Sequence, residues 1–256
     1  MTHVFGEDWH REREHLASIE GGADVITTEI LARTGVGPGW RCAEVGAGGG
    51  SMAAWLSGRV GPAGEVFATD VETRFLTALD GGNIHVLKHD FTADEPPATG
   101  LDLVHARLVV EHVADQEDAL KRLVTWLRPG GWLVVEDIDW TTRFPVSRAP
   151  EFDAAITAAL DVARRSAGYD PAFGRRLPTM FTELGLHCVD AQAHTSMVRG
   201  GGPGIEVLKL TLERIAPATV AAGLLTDTQI AAALALCTDP AFATMLPTMI
   251  STWGRR

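Results

Sequence analysis

The feature that most constrains the fold is an alternation of short apolar runs with helical segments between residues 38 and 140. The apolar runs have the length of strands and lie at 40–45, 64–70, 83–90, 101–106 and 131–138. Strands that alternate with helices predict right-handed crossovers and a parallel sheet covered by helices on both faces. We therefore predict an α/β fold, with a doubly wound, mostly parallel, Rossmann-like sheet of seven strands.

The segments around this core complete the predicted order of elements. Residues 8–34 have helical spacing, and Gly21-Gly22 predicts a break between two helices. Further helices are predicted from residue 51, over 72–80, 116–127 and 151–166, and in two or three segments of 204–238. The sixth strand is predicted at 187–198 and the seventh at 242–253, where Pro247 interrupts it. We find no repeat or low-complexity linker, so residues 1–256 are predicted to form one domain. Its parts are an N-terminal helical lid (1–37), a cofactor-binding core (38–140) and a helical cap with the last strands (141–256).

Composition and charge limit the classes of partner that the chain can be expected to bind. The chain of 256 residues has 33 acidic and 22 basic side chains and a net charge of −11, which argues against nucleic acid and acidic membranes. Cys42, Cys188 and Cys237 have no CxxC spacing and are expected to be free thiols in a reducing compartment. The N-terminal stretch "MTHVFGEDWHREREH" has no apolar signal core, and no apolar stretch approaches the roughly 20 residues that span a bilayer. We expect a cytoplasmic protein with a small-molecule partner. The sequence leaves the oligomeric state open, and a homodimer is the one assembly considered.

The stretch "AEVGAGGGSMAAW" (43–55) leads from an apolar strand through a glycine loop into a helix. Gly46, Gly48 and Gly50 alternate, but the dinucleotide pattern GxGxxG requires glycine where Ser51 stands. A GxxxxGK[ST] loop for triphosphates is absent from the sequence. The loop therefore has neither of these phosphate-binding patterns.

Acidic residues lie at or near the ends of the first three predicted strands, at Glu44, Asp70 and Asp90. An acid about 20 residues after a glycine loop can bind a ribose diol, and a carboxylate can accept a hydrogen bond from an adenine amino group. Carboxylates suit a ligand without phosphates, and we interpret the loop as a nucleoside site.

In these features the chain resembles the class I S-adenosylmethionine-dependent methyltransferases. The matching segments are "EVGAGGG" (44–50), "VFATD" (66–70), "KHDF" (88–91), "LDLVHARLVVEHV" (101–113) and "LRPGGWLVVEDID" (127–139). The resemblance implies that the three glycines let the backbone approach the methionine part of the cofactor. It implies that Asp70 binds the ribose and that Asp90 with Phe91 surrounds the adenine. Further cofactor contacts are expected at Trp9 in the lid and at Glu44, Ala47, Ser51, Val71, Ala106 and Arg107.

Methyl transfer is an in-line displacement at a carbon that is already activated, so the protein mainly positions the acceptor and excludes water. A base is needed only if the acceptor must lose a proton. His112 follows the fourth strand and is the candidate base, because the ordinary imidazole pKa is near 6.5. Of the acids that end the fifth strand, Asp137 is the candidate for orienting a hydroxyl or amine. An apolar roof over the pocket is predicted from Trp140, Phe144, Tyr169, Phe173 and Met180.

A metal site is not predicted. Some quinone-type methyltransferases have Glu-x-x-Glu-His at this position, but here Leu108 replaces the first carboxylate before Glu111 and His112. Two other functions stay open. One is a nicotinamide-dependent oxidoreductase, although this sequence lacks the third glycine of GxGxxG and the Tyr-x-x-x-Lys relay. The other is a protein that binds S-adenosylmethionine without transferring methyl. The favoured function is methyl transfer to oxygen, nitrogen or carbon of a small, partly apolar molecule.

Overall fold

The computed structural model of the protein describes residues 9–167 and 169–256. Its helices are α1 (Glu12–Arg33), α2 (Ser51–Val60), α3 (Gln116–Trp126), α4 (Pro150–Ala167), α5 (Leu177–Glu183), α6 (Ile205–Ala221) and α7 (Asp227–Leu236). Its strands are β1 (Arg41–Val45), β2 (Glu65–Asp70), β3 (Ile84–Lys88), β4 (Leu101–Arg107), β5 (Leu127–Asp139), β6 (His187–His194), β7 (Met197–Arg199), β8 (Ala243–Met245) and β9 (Thr248–Arg255).

Seven of the strands form one sheet in the order β3-β2-β1-β4-β5-β9-β6. The first five are parallel, and β9 runs antiparallel between β5 and β6. The predicted doubly wound, mostly parallel sheet is confirmed. The strand order reverses between β1 and β4, and the carboxyl ends of these strands open a crevice of the kind in which such folds bind ligands.

The N-terminal segment forms one helix, so the predicted break at Gly21-Gly22 is wrong. A glycine inside a helix costs about 1 kcal/mol relative to alanine. The helix has 22 residues and buries Ile30 and Leu31 in the core, and this tertiary packing outweighs the local preference.

Other predicted boundaries also change. The segment 72–80 contains only a 3₁₀ turn at Thr77–Leu79, since a helix of nine residues has little stability of its own. The predicted sixth strand is divided into β6 and β7, and the predicted seventh into β8 and β9 around Pro247. Proline cannot donate to a strand ladder, and the break lets β7 and β8 pair as a separate two-stranded sheet.

Three clusters of buried apolar side chains stabilise the molecule. Two lie on the two faces of the large sheet, and the third lies among α4, α6 and α7. Phe173 and Met180 belong to a cluster under the sheet, and Phe144 is 54% exposed, so these three do not form the predicted roof. Within the described part of the chain, no helix is long and apolar enough to cross a membrane.

Candidate functional site

A cavity of about 470 Å³ lies at the carboxyl ends of the parallel strands, where the strand order reverses. We call it the crevice cavity. Its walls come from the glycine loop, the ends of β1–β4 and the inner face of α1. It brings together eleven of the predicted residues: Glu44, Gly46, Ala47, Gly48, Ser51, Asp70, Val71, Asp90, Phe91, Arg107 and His112. These positions are 68 residues apart at the extremes, and the parallel topology brings them to one edge of the sheet.

The glycine loop needs glycine for two different reasons. Gly46 and Gly48 have φ angles of +64° and +55°, in the left-handed region that favours glycine. A Cβ at Gly46 would collide with Val109, and a Cβ at Gly48 would lie 3.1 Å from Leu16 of α1. Gly50 has a φ of +89° and does not line the cavity, and a Cβ at this position would collide with Leu79. The structure therefore does not place Gly50 at the cavity wall, and the positive φ and the close Leu79 account for a glycine there.

Two acids at the cavity wall are held by backbone amides. The Gly48 amide donates to Asp70 Oδ2 at 2.8 Å, and the Glu72 amide donates to Asp70 Oδ1 at 2.9 Å. The Thr92 amide and hydroxyl donate to Asp90 Oδ1 at 2.9 and 2.6 Å. Burial alone would raise the pKa of Asp90, but the bonds from Thr92 outweigh it and lower the pKa. Asp90 is therefore ionised at neutral pH and suited to accept hydrogen bonds.

Glu44 takes part in a buried ionic cluster beneath the crevice cavity. Its Oε2 lies 2.6 Å from His105 Nδ1, and His105 Nε2 lies 3.2 Å from Glu136 Oε2. Ser251 Oγ donates to the other oxygen of Glu136. Burial alone would lower the pKa of His105, but the two glutamates raise it to about 9. We infer that Glu44 acts mainly by holding this imidazolium, a partner that the sequence analysis missed although Glu44 and His105 are neighbours in the β1–β4 register.

Arg107 lines the crevice cavity and also ties β4 to α1. Its guanidinium donates to Thr27 Oγ1 and Asp24 Oδ1, each at 2.9 Å. Ser51 Oγ donates to the same oxygen of Asp24 at 3.1 Å, so the start of α2 joins this network. The network holds α1 over the cavity.

Two predicted cofactor contacts lie away from the cavity wall. Ala106 is fully buried because β4 is a central strand whose residues are covered on both faces of the sheet. Trp9 lies before α1 with the guanidinium of Arg214 5.6 Å from its ring centroid. Neither residue lines the crevice cavity, and the residues of α1 that do are Glu12, His15, Leu16, Ile19 and Glu20.

A second cavity, of about 220 Å³, lies behind the first, between α1, α4, α6 and the ends of β5, β9 and β6. We call it the apolar cavity, because aliphatic side chains and Trp140 form most of its wall. The two cavities share four lining residues: His15, Ile19, Leu108 and His112. Leu108 has a φ of +57°, a strained conformation for leucine. Strain of this kind often accompanies a functional site.

Glu111, His112 and Tyr169 form a cluster at the boundary of the two cavities. Glu111 is 3% exposed, and its Oε2 accepts a hydrogen bond from the Ile138 amide at 3.1 Å. Its Oε1 lies 3.4 Å from His112 Nε2, and the His112 ring stacks on Tyr169 with centroids 5.4 Å apart. Burial raises the pKa of Glu111 to about 7. From the sequence, Glu111 was expected only as part of an incomplete metal pattern and Tyr169 as part of an apolar roof.

The structure does not place Asp137 where it can touch an acceptor. Asp137 is fully buried, and it lines neither cavity. Its Oδ1 accepts a hydrogen bond from the Val109 amide at 3.2 Å, so it anchors the loop that carries Glu111 and His112. Burial, followed by the charge of Glu111, raises its pKa well above the ordinary range. Asp137 is buried because β5 is a central strand. Helices cover both faces of the sheet there, so side chains on either face of the strand are enclosed.

The crevice cavity fits S-adenosylmethionine. Its strand-end carboxylates and the close approach of the loop backbone suit a nucleoside that carries no phosphate. No group of three or more His, Cys, Asp or Glu side chains suited to a metal occurs among the residues that the structure describes.

The fold and the crevice cavity together define a Rossmann-like methyltransferase. Residues 11–190 match the family model described as a methyltransferase domain, and the chain belongs to this family. The resemblance to class I S-adenosylmethionine-dependent methyltransferases is confirmed, and S-adenosylmethionine is the cofactor. The nicotinamide alternative is not supported.

The chain is also similar in sequence to individual methyltransferases. The chain is 32% identical over 175 residues to the methyltransferase str2 of Strobilurus tenacellus, covering 66% of this chain and 60% of the relative. It is 31% identical over 147 residues to the ubiquinone/menaquinone biosynthesis C-methyltransferase UbiE of Laribacter hongkongensis, covering 54% of this chain and 60% of the relative. The matches thus span 60% of the length of both relatives.

Among solved structures, the fold is similar to phosphoethanolamine N-methyltransferase 2 of Haemonchus contortus, in complex with phosphomonomethylethanolamine and S-adenosylhomocysteine. The TM-score is 0.59 at 13% identity, and the match covers 94% of this chain and 57% of that chain. At this identity the likeness concerns the fold alone.

Proposed function

We propose that this protein transfers the methyl group of S-adenosylmethionine to a small, largely apolar molecule by in-line displacement. The observation that carries the proposal is the shared wall of the two cavities, since His15, Ile19, Leu108 and His112 line both. A cofactor in the crevice cavity and an acceptor in the apolar cavity would meet at this wall. Holding two reactants in line accounts for most of the rate gain in such a displacement.

The chain's own residues would divide the work of binding. When bound, the cofactor supplies a methyl group on a positively charged sulfur. Asp70 would accept the ribose hydroxyls, and Asp90 with Phe91 would enclose the adenine. Gly46 and Gly48 would allow close approach of the backbone to the methionine part.

His112 is the residue that we propose as the base. It is half-buried, lines both cavities and is held by stacking on Tyr169 and by contact with Glu111. A histidine in this position would take a proton from an acceptor that must lose one. The inner face of α1 would exclude water from the boundary.

We also propose a cytoplasmic location. It is supported by three free thiols, of which Cys42 and Cys237 are buried and Cys188 is exposed.

The proposal is tested by filling the apolar cavity while leaving the crevice cavity unchanged. Gly22 lies on α1 and lines the apolar cavity, whereas its neighbour Gly21 lines neither cavity, and no atom lies within 4 Å of a Cβ at either position. Methyl transfer from S-adenosylmethionine to a panel of small phenols, amines and enols is measured by mass spectrometry. Gly22→Leu should lower transfer at least tenfold and leave S-adenosylhomocysteine affinity unchanged.

Gly21→Leu is the matched control and should transfer methyl at the wild-type rate. Equal rates in the two variants would contradict the placement of the acceptor. Tight binding of S-adenosylmethionine with no methylated product from any member of the panel would favour the non-methylating alternative.

A further inference from the structure

The charge inside the apolar cavity points to a class of acceptor. Among the described residues that line this cavity, Glu111 is the one carboxyl group, and no lysine or arginine occurs. Three histidines also line it: His15, His112 and His194. Burial, with the nearby charge of Arg214, lowers the pKa of His15 to about 4, so this ring is neutral at physiological pH.

Glu111 is buried, and His112 is the one side chain that the structure pairs with it among the basic residues described at this cavity. Its hydrogen-bond partners are the Ile138 amide and Tyr169, and His112 Nε2 lies 3.4 Å from Oε1. Behind it lies Asp137, a second buried carboxyl, whose Oδ2 has no hydrogen-bond partner in the structure. A buried carboxylate without a full positive partner is costly, and a cation beside it removes much of that cost.

Two aromatic rings lie in the same cavity as Glu111. Trp140 and Tyr169 both line the apolar cavity, and aromatic faces attract ammonium groups. An acceptor with a carboxylate or phosphate would be repelled by Glu111 and would meet no arginine or lysine there. A neutral alcohol would fit without repulsion, but it would gain no ionic pairing.

From this arrangement we infer that the acceptor is an apolar amine, and that Glu111 selects it by pairing with its ammonium group. The inference rests on the proposed function, since it names the substrate class of that same acceptor site. Glu111 would contact the reacting nitrogen and is therefore proposed as a further catalytic residue.

This placement of Glu111 determines where the proton and the electron pairs move during methyl transfer to the amine. The ammonium enters paired with the Glu111 carboxylate and gives up one proton to it, which frees the nitrogen lone pair. The lone pair forms the new N–C bond while the C–S bond of the donor breaks, with its electron pair left on sulfur. The product leaves as a methylated ammonium. Glu111 returns its proton to solvent through His112, which also lines the crevice cavity.

The test compares three probes of nearly equal size that differ in charge: 2-phenylethylamine, 2-phenylethanol and 3-phenylpropanoate. Their affinities for the protein saturated with S-adenosylhomocysteine are measured by calorimetry at pH 8, where Glu111 is ionised. We expect the amine to bind at least tenfold more tightly than the alcohol, and the carboxylate to bind least. In Glu111→Gln the preference for the amine over the alcohol should be lost, with the alcohol bound as in the wild type.

Glu29→Gln removes an equal charge from an exposed position on α1 that lines neither cavity, and it should keep the amine preference. Lowering the pH to 5.5 should also weaken the preference in the wild type. The titratable groups that face Glu111 are His112, Tyr169 and Asp137. The part of the pH dependence that disappears in Glu111→Gln is the part that comes from Glu111.

Equal affinity for the amine and the alcohol, tighter binding of the carboxylate, or binding of none of the probes would overturn the inference. Retention of the amine preference in Glu111→Gln would do so as well. Failure of the proposed function has a different signature. If the amine binds with the Glu111-dependent preference and no methylated amine forms, the selection of amines stands and methyl transfer fails.

Discussion

The crevice cavity and the apolar cavity meet at four residues but are built in different ways. The crevice cavity takes most of its wall from the ends of consecutive strands and the loops after them, between Glu44 and His112. The apolar cavity takes its wall from α1, α4, α6 and the strand ends on the far side of the sheet, between His15 and Met249. One is a local motif repeated along parallel strands, and the other is an assembly of distant segments.

The two cavities also differ in chemistry. The crevice cavity combines several carboxylates with Arg74, Lys88, Arg107 and Arg214. Among the described residues that line the apolar cavity, Glu111 is the one carboxyl. Under the proposed function, this difference assigns cofactor binding and acceptor selection to largely separate sets of side chains. Changes in one set should therefore leave the other function largely intact, and the following four predictions test that separation.

The largest effect is expected in the glycine loop. Gly48→Val places a branched side chain at a φ of +55° and against Leu16 of α1, and it should abolish measurable S-adenosylhomocysteine binding. Calorimetry measures the affinity, and circular dichroism checks the fold. Gly58→Ala, in α2 with open space around it, is the control and should bind normally. Wild-type affinity in Gly48→Val would mean that the loop is only a turn.

The next effect concerns the shared wall. If the acceptor must lose a proton, His112→Ala should lower turnover by roughly 10²–10⁴-fold, which is the usual contribution of a general base. The affinity for S-adenosylhomocysteine should change little, because the proposed cofactor contacts lie at the strand ends. Steady-state kinetics with the best phenol from the panel measures the turnover, because a phenol must lose its proton and Glu111 is proposed to take a proton only from an amine. Unchanged turnover would remove His112 from the mechanism, and a large loss of cofactor affinity would break the separation of the two cavities.

A smaller effect is expected at the ribose position. Asp70→Ala removes an acceptor for two hydroxyls, and each hydrogen bond to a charged group contributes about 1.5–3 kcal/mol. Cofactor affinity should therefore fall at least about tenfold, since about 1.4 kcal/mol corresponds to a factor of ten. Binding of 2-phenylethanol in the apolar cavity should be unchanged at saturating S-adenosylhomocysteine. Unaltered cofactor affinity would contradict the assignment of the ribose to Asp70.

The smallest effect is a dependence of stability on pH in the apolar cavity. The unfolded chain loses the Glu111 proton near the ordinary glutamate pKa, whereas the folded chain keeps it up to about 7. Stability is therefore lost as the pH rises between these two values and is constant above them. Glu111→Gln lacks this loss, so its melting temperature relative to wild type should rise between pH 5 and pH 7.5.

Glu29→Gln supplies the baseline for this measurement, because it removes an exposed carboxyl from α1. A difference between Glu111→Gln and wild type that does not change with pH would show that Glu111 is ionised throughout the range.

The sequence by itself determined the sheet and most of the crevice cavity. Strand-length apolar runs alternate with helices, and the carboxyl ends of parallel strands must meet at one edge. Glu44, Gly48, Asp70 and Asp90 could therefore be placed together from their positions in the chain. The division of residues 1–256 into lid, core and cap stays a prediction.

Only the tertiary structure decided the apolar cavity and the direction in which buried acids point. Asp137 and Glu111 are both acids near strand ends, yet Asp137 is enclosed in the sheet and Glu111 lines a cavity. His105 was not singled out from the sequence, and it lies between two glutamates from neighbouring strands. The physical reason is that strand periodicity specifies which residues are interior, whereas their neighbours depend on how α1, α4, α6 and β9 pack across the sheet. Those contacts join residues more than 100 positions apart, and no local pattern encodes them.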